Sequence, residues 1–261
     1  MDNFKATQLH TEILKAISEM GFQTPTPIQA KTIPHLMSSN QDLIATAQTG
    51  TGKTAAFGLP SIHLTNIKYN DTQTLVLCPT RELCIQIAKD LAKYSKYLNG
   101  INILAVYGGS DIRAQIKSLN KGAHIVIGTP GRTKDLIKRK KLNIGHIARI
   151  ILDEADEMLT MGFKEDLEMI LSHTPKEKQT LLFSATMSKK VVAITQSYMN
   201  NPLNIAAAQM NITAENVKHV YYMVNAKERY EVIKRIADIN PNIYGIVFCR
   251  TRRETKDVAN K

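Results

Sequence analysis

The sequence predicts an α/β fold: a mainly parallel sheet with helices on both faces, followed by the incomplete start of a second domain of the same class. Three observations carry that expectation. Short apolar runs recur at 42–45, 74–78, 103–107, 124–128, 149–152 and 180–183, separated by longer stretches of helical period. Within each run the apolar residues are continuous rather than alternating, as strands covered by helices on both sides require. A glycine-rich loop follows the first run directly and opens a helical stretch. Ligands of such sheets collect at the carboxyl ends of the strands, which is where candidate functional residues should be sought.

The 261 residues suffice for one full domain and part of another, at roughly 100–200 residues per domain. Around 200–215 the pattern weakens into Asn, Pro, Ala and Thr. It restarts with 217–224, a charged helical stretch from Lys227 and an apolar run at 243–249 that reads as another buried strand. The expected division is an N-terminal segment 1–30, a first domain 31–205, a linker 206–216 and the start of a second domain 217–261. That last piece is too short to close an α/β layer of the first domain's size.

The basic balance, 34 Lys and Arg against 23 Asp and Glu for a net charge of +11, favours a polyanionic partner, because each phosphate contact releases condensed counterions. A cationic surface that only aids solubility is the plainer alternative. Cys78, Cys84 and Cys249 are too few and too scattered for a disulfide framework or a zinc site, so a cytoplasmic compartment is expected. The start, MDNFKATQLH, has neither a basic nor an apolar targeting region, and nowhere do 18 apolar residues run together. Neither secretion nor membrane insertion is expected.

Ala47-Gln48-Thr49-Gly50-Thr51-Gly52-Lys53-Thr54 stands between a predicted strand and a predicted helix, the context a phosphate-binding P-loop requires. Its glycines let backbone N–H groups turn inward around phosphate oxygens, and the helix start adds its positive dipole end. Lys53 would reach the β and γ phosphates and Thr54 would ligate magnesium. Ala47 departs from the usual first glycine. A second carboxylate-bearing element is needed for the metal and the water, and Asp153-Glu154-Ala155-Asp156 supplies it after a buried run. Asp153 is the metal-side candidate and Glu154 the candidate that polarises the attacking water. Alone, such a tetrad is more often a solvated helix start.

Asp153-Glu154-Ala155-Asp156 also spells the signature of the DEAD-box RNA helicases, and the resemblance covers residues 4–251. It implies a RecA-like P-loop NTPase domain, ATP and Mg2+ as ligands, and RNA as substrate. Residues 21–29 resemble the family's Q motif, with Phe22, Thr24 and Gln29 within it and Phe4 where the family keeps an isolated aromatic. An amide both donates and accepts, which suits the adenine edge, so Gln29 is expected to select ATP over GTP. Pro79-Thr80-Arg81, Gly108-Gly109 and Thr129-Pro130-Gly131-Arg132 resemble the family's RNA-contacting motifs. Helix-start N–H groups, hydroxyls and arginines can hold sugar-phosphate oxygens without reading bases. Either arginine taken singly could be an ordinary surface or ion-pairing residue. Ser184-Ala185-Thr186 matches the family's SAT motif, whose hydroxyls bond the acidic tetrad and relay nucleotide state to RNA grip; a turn-forming Ser and Thr is the plainer reading.

Lys138-Arg139-Lys140-Lys141 reads as a solvated loop, with an extension of the phosphate track as the alternative. Thr133-Lys134 departs from the apolar pair the family often has after its arginine. Residues 246–251 resemble the opening of the family's second domain, whose arginine finger and remaining RNA motifs are expected further on. The chain is therefore expected to bind nucleotide but to turn over poorly, as a fragment of a longer protein or as a natural truncation. Two other readings stand beside this one: a non-cycling ATP- or RNA-binding module, and a P-loop enzyme acting on DNA. Ribonucleoprotein partners are compatible with the family, and no obligate oligomer is indicated. The nearest general likeness is to bacterial cold-shock and ribosome-assembly members.

Overall fold

The computed structural model describes residues 3–206, 218 and 220–261. The chain divides into two compact units, Met1–Met210 and Asn211–Lys261. In the first, helices α1 (Thr11–Glu19) and α2 (Pro27–Ser38) precede strand β1 (Leu43–Thr46). Then follow α3 (Lys53–His63), β2 (Thr74–Leu77), α4 (Arg81–Tyr94), β3 (Ile103–Val106), α5 (Ile112–Leu119), β4 (Ile125–Gly128), α6 (Pro130–Lys138) and β5 (Arg149–Leu152). The unit closes with α7 (Ala155–Thr160), α8 (Lys164–Ser172), β6 (Gln179–Ser184), α9 (Lys189–Tyr198) and β7 (Leu203–Ala206). The seven strands form one sheet in the order β3-β4-β2-β5-β6-β1-β7, and every pairing is parallel.

The pleat divides the apolar runs between two cores. Leu43, Ala45, Val76, Ile151, Leu181 and Phe183 point to the face covered by α1 to α4. Ile44, Leu75, Leu77, Ile150, Leu152 and Leu182 point to the face covered by α5 to α9. Continuous apolar character in the sequence thus reflects a sheet with no solvated face. Helix α3 is buried along almost its whole length, and its Phe57 ring lies 5.2 Å from that of Phe183 on β6. The helix that begins at the glycine-rich loop is thereby fixed to the centre of the sheet.

The six predicted runs are six of the strands, each end within one residue of its expected position. Strand β7 was not expected, because its segment lies in the stretch where the apolar pattern fades. It is an edge strand in which Ile205 alone is buried, so it lacks the continuous run that betrays an interior strand. What attaches it is polar. Asp42 accepts from the backbone N–H of Thr180 at 2.6 Å and of Asn200 at 2.7 Å, and its own carbonyl accepts from Leu203 at 2.8 Å. Burial pushes the Asp42 carboxyl above its ordinary range despite those two N–H donors.

In the second unit, α10 (Arg229–Ile239) and α11 (Arg252–Asn260) form as helices. The run 243–249 does not form the expected buried strand: no strand is assigned there, and Tyr244, Ile246 and Phe248 are exposed. A parallel strand exists only through its neighbours, and among the described residues of this unit there is none to pair with. Val220 to Val224 is likewise exposed and without strand pairing. Val217 and the predicted linker beyond Ala206 lie outside the described residues.

Gly128 ends β4 against the Thr133 side chain of α6. A Cβ there would overlap the Thr133 hydroxyl and press on Val106 Cγ2 at 3.0 Å, and the Thr133 hydroxyl is buried with no hydrogen-bond partner. Gly128→Ala should therefore cost about 1–3 kcal/mol of unfolding free energy. Adding Thr133→Ala should recover part of that loss in denaturant titrations.

Candidate functional site

Four loops leave the carboxyl edge of the sheet under firm anchorage, because the ladder runs one residue past the strands. Ala47 N–H donates to Ser184 carbonyl at 3.0 Å, Cys78 to Gly128 at 3.1 Å, Thr129 to Val106 at 3.1 Å and Asp153 to Leu77 at 2.8 Å. Ala47, Thr129 and Asp153 each open one of the motifs singled out in the sequence, and Cys78 immediately precedes another, Pro79-Thr80-Arg81. The strand order sorts them. The glycine-rich loop, the acidic tetrad and Ser184-Ala185-Thr186 follow β1, β5 and β6, which are contiguous, while the other three motifs follow β2, β4 and β3, also contiguous.

Gln48, Thr49 and Gly50 of the first loop are exposed, and Gly50 and Gly52 take left-handed φ of 84° and 90°. A side chain at Gly52 would also collide with Gln29 Nε2. The Lys53 ammonium begins α3 at 6% exposure and faces Asp153 Oδ1 at 3.9 Å. It is too far to hydrogen-bond, and no protein acceptor lies within reach of Nζ. Burial pushes the Asp153 carboxyl up to about 6, with the Lys53 charge pulling it back down. A buried pair so poorly satisfied is weak support for the fold and a strong indication of room for a charged ligand. Thr54 is half-buried at the second position of α3.

Glu154 adopts the left-handed conformation at φ 53°, ψ 51°, which costs a non-glycine residue about 1–2 kcal/mol. The turn swings its carboxylate toward the glycine-rich loop, where Oε1 accepts from the Thr49 hydroxyl at 3.2 Å. Asp156, three residues beyond Asp153, instead accepts at Oδ2 from the Thr186 backbone N–H (2.9 Å) and hydroxyl (2.8 Å). The Ser184 hydroxyl donates to the Thr186 carbonyl at 2.7 Å and so shapes the same turn. Partial burial opposes ionisation of Asp156, but the Thr186 hydroxyl and backbone N–H, helped by the nearby Ser184 hydroxyl, prevail and hold its carboxyl below the ordinary range.

Gln29 is buried at the start of α2. Its Oε1 accepts from Thr26 N–H at 2.9 Å, and its Nε2 donates to the Gly52 carbonyl at 3.1 Å. One amide thus caps α2 and braces the glycine-rich loop, a contact the sequence did not reveal. Thr24 is exposed and Phe22 half-buried. Phe4 is buried in the core, with its ring centroid 6.0 Å from that of Phe22, which it packs beside.

On the other half of the edge, buried Pro79 leads into Thr80, whose hydroxyl caps α4 by accepting from Leu83 N–H at 3.2 Å. Arg81 is exposed and lies over the Tyr107 ring at 5.1 Å. Gly108 and Gly109 are exposed, and Gly109 has φ 78°. Thr129 and Pro130 open α6, Gly131 is exposed, and Arg132 reaches back to the β3–α5 turn through bonds to Gln115 and Ser110. The basic residues 138–141 begin at the opposite end of α6, about 12 Å from Pro130 at 1.5 Å per residue. There Arg139 pairs with Asp135, which fits the solvated-loop reading.

A DEAD/DEAH box helicase family model matches residues 26–194. The chain is 46% identical to "DEAD-box ATP-dependent RNA helicase CshA" of Geobacillus kaustophilus over 99% of its own length and 55% of that protein. It is 47% identical to "ATP-dependent RNA helicase CshA" of Listeria monocytogenes, over 99% of this chain and 49% of that one. Among solved structures, a DEAD box protein from the hyperthermophile Methanococcus jannaschii matches with a TM-score of 0.77 and 42% identity, covering 100% of this chain and 69% of that one. The chain belongs to the DEAD/DEAH box helicase family, and its first unit has the family's RecA-like fold. It spans about half the length of the curated relatives it matches.

Thr186→Val should remove the hydroxyl bond to Asp156 and cost about 1 kcal/mol at neutral pH, a modest figure because the pair is partly exposed. The folded-state pKa of Asp156 is depressed, so its contribution is present above the ordinary carboxylate range and is lost as pH falls through the depressed value. The stability gap between parent and variant should therefore narrow on acidification, as measured by denaturation at pH 7 and in the acid range.

Proposed function

We propose that this chain is the nucleotide-binding part of an ATP-dependent RNA helicase, an ATP phosphohydrolase whose intact form couples RNA-stimulated hydrolysis to local remodelling of short duplexes. The observation that carries the reading is the Lys53 ammonium, buried without an acceptor beside Asp153. Phosphate oxygens supply the missing acceptors, and the loop from Ala47 to Thr54, with positive φ at Gly50 and Gly52, can turn its N–H groups to the same anion. The relatives, named as ATP-dependent RNA helicases, agree with ATP and RNA as ligands.

In this reading Lys53 binds the β and γ phosphates, Gln48, Thr49 and Thr51 line the loop, and Phe22, Thr24 and Gln29 receive adenine. Magnesium, when bound, supplies the charge that steadies the phosphates, and Thr54 and Asp153 would hold it, partly through water. No cluster of three or more His, Cys, Asp or Glu side chains suited to a metal occurs among the described residues, and a magnesium held by one carboxylate, a hydroxyl, phosphates and water needs none. Glu154, already turned toward the loop, orients the attacking water. Thr186 and Ser184 tie the tetrad to the β6–α9 connection. Thr80, Arg81, Gly108, Gly109, Thr129, Gly131 and Arg132 hold the sugar-phosphate backbone, with Pro79 and Pro130 setting their turns. Among the described residues no helix is long and apolar enough to cross a membrane, and a cytoplasmic setting fits an RNA substrate.

By itself the chain should bind adenine nucleotide and hydrolyse it slowly, since transition-state charge in this chemistry is commonly neutralised by an additional arginine. The test is a nucleotide titration beside magnesium-dependent hydrolysis, with and without single-stranded RNA or DNA of equal length. Lys53→Ala should weaken nucleotide binding roughly tenfold or more, the value of a charge-assisted contact. Undiminished binding by that variant would sink the assignment, and equal stimulation by DNA would sink the choice of RNA.

A further inference from the structure

Where the β3–α5 and β4–α6 loops meet, one buried amide serves both. Gln115, on the inner side of α5, donates from Nε2 to the Ser110 hydroxyl at 2.6 Å and to the Tyr107 carbonyl at 3.2 Å. Its Oε1 accepts from Arg132 Nη1 at 2.8 Å, while Arg132 Nη2 donates to the Ser110 carbonyl at 3.1 Å. The guanidinium is therefore fixed by two neutral oxygens, and among the described residues it has no carboxylate in ion-pair range. Arg81 is treated alike: it rests over the Tyr107 ring, again with no carboxylate in range. A carboxylate at position 115 would hold Arg132 as firmly but would cancel its charge; an amide holds it and leaves the charge intact. Two of the five guanidinium N–H groups are engaged here, and the rest remain for an anion.

We infer that Gln115 is a positioning residue for the RNA backbone, joining the Gly108-Gly109 turn and Arg132 into one preset unit that keeps the arginine's full charge for phosphate. The inference rests on the RNA reading above. Its amide-for-carboxylate logic is visible in salt dependence, which a purely structural glutamine would not affect, because each phosphate neutralised on a single strand contributes a slope of about 0.7 in log K against log salt.

The experiment is a titration of this chain with a fluorescent single-stranded RNA across a salt series, for the parent, Gln115→Met, Gln115→Glu, Arg132→Ala and the Gln115→Met, Arg132→Ala double variant. Gln115→Met should weaken binding roughly ten- to a hundredfold, as loss of a hydrogen bond to a charged group does. The double variant should bind no more weakly than Arg132→Ala alone. Gln115→Glu should lower the salt slope by about one contact, as Arg132→Ala does. Additive losses in the double variant, or an unchanged slope in Gln115→Glu, overturn the inference while leaving the RNA reading standing. Absence of salt-dependent RNA binding by the parent overturns that reading and the inference with it. If Gln115→Met does not melt cooperatively, the slope of Gln115→Glu against that of Arg132→Ala decides the matter.

Discussion

A parallel sheet buried on both faces leaves the chain few places to put a charge. Both surfaces of the sheet are occupied by apolar side chains, so polar chemistry is driven to the rims, and the connections after each strand all start from the same rim. The extra ladder bonds made by Ala47, Cys78, Thr129 and Asp153 carry the order of the sheet into those connections. Every distance in the candidate site depends on that constraint. Strand order then separates the chemistry: β1, β5 and β6 present the loop, the acidic tetrad and the Ser184–Thr186 turn, whereas β2, β3 and β4 present the two arginines and the glycine pair.

The charges on the rim fall into two kinds. Asp156 is satisfied by Thr186, and its bonds outweigh the cost of partial burial. Lys53 and Asp153 are not: the ammonium has no acceptor, and burial dominates the carboxyl. The first arrangement belongs to the architecture, since it ties α7 to the β6–α9 connection. The second makes sense as a site held ready, because unpaired buried charge is costly unless a ligand completes it. Arg81 and Arg132 follow the second pattern at the surface, held in place by neutral groups.

Legibility followed the range of the interactions. Strands β1 to β6 announced themselves by consecutive apolar residues, a local property: five of them are interior and buried on two faces, and β3, at the other edge, keeps an apolar run although it is half-buried. The glycine-rich loop and the acidic tetrad were equally local, each being a few adjacent residues whose backbone does the work. Strand β7 left no such mark, because Leu203, Asn204 and Ala206 face solvent and the attachment runs through Asp42, some 160 positions earlier in the chain. Gln115 was invisible for a related reason: on an amphipathic helix a lone glutamine looks like any polar residue until Arg132, 17 positions on, is found against it. The double use of Gln29 was half legible. Its position near the start of α2 could be seen, but its reach to Gly52 could not. The run 243–249 shows the converse failure, because apolar sequence specifies a strand only when something stands beside it.

The pairing of β2 with β5 sets Leu77 opposite Leu152 in strict register, with Asp153 bonded directly to the Leu77 carbonyl. The two halves of the rim are thus neighbours across one continuous ladder embedded in close-packed side chains, a material of low compressibility. Such a slab transmits little by bending. Occupancy on one half would be communicated to the other chiefly by tilting the unit as a rigid plate against some other body, or by shifts in the loops above the ladder, so elastic strain within the sheet can be set aside as a messenger.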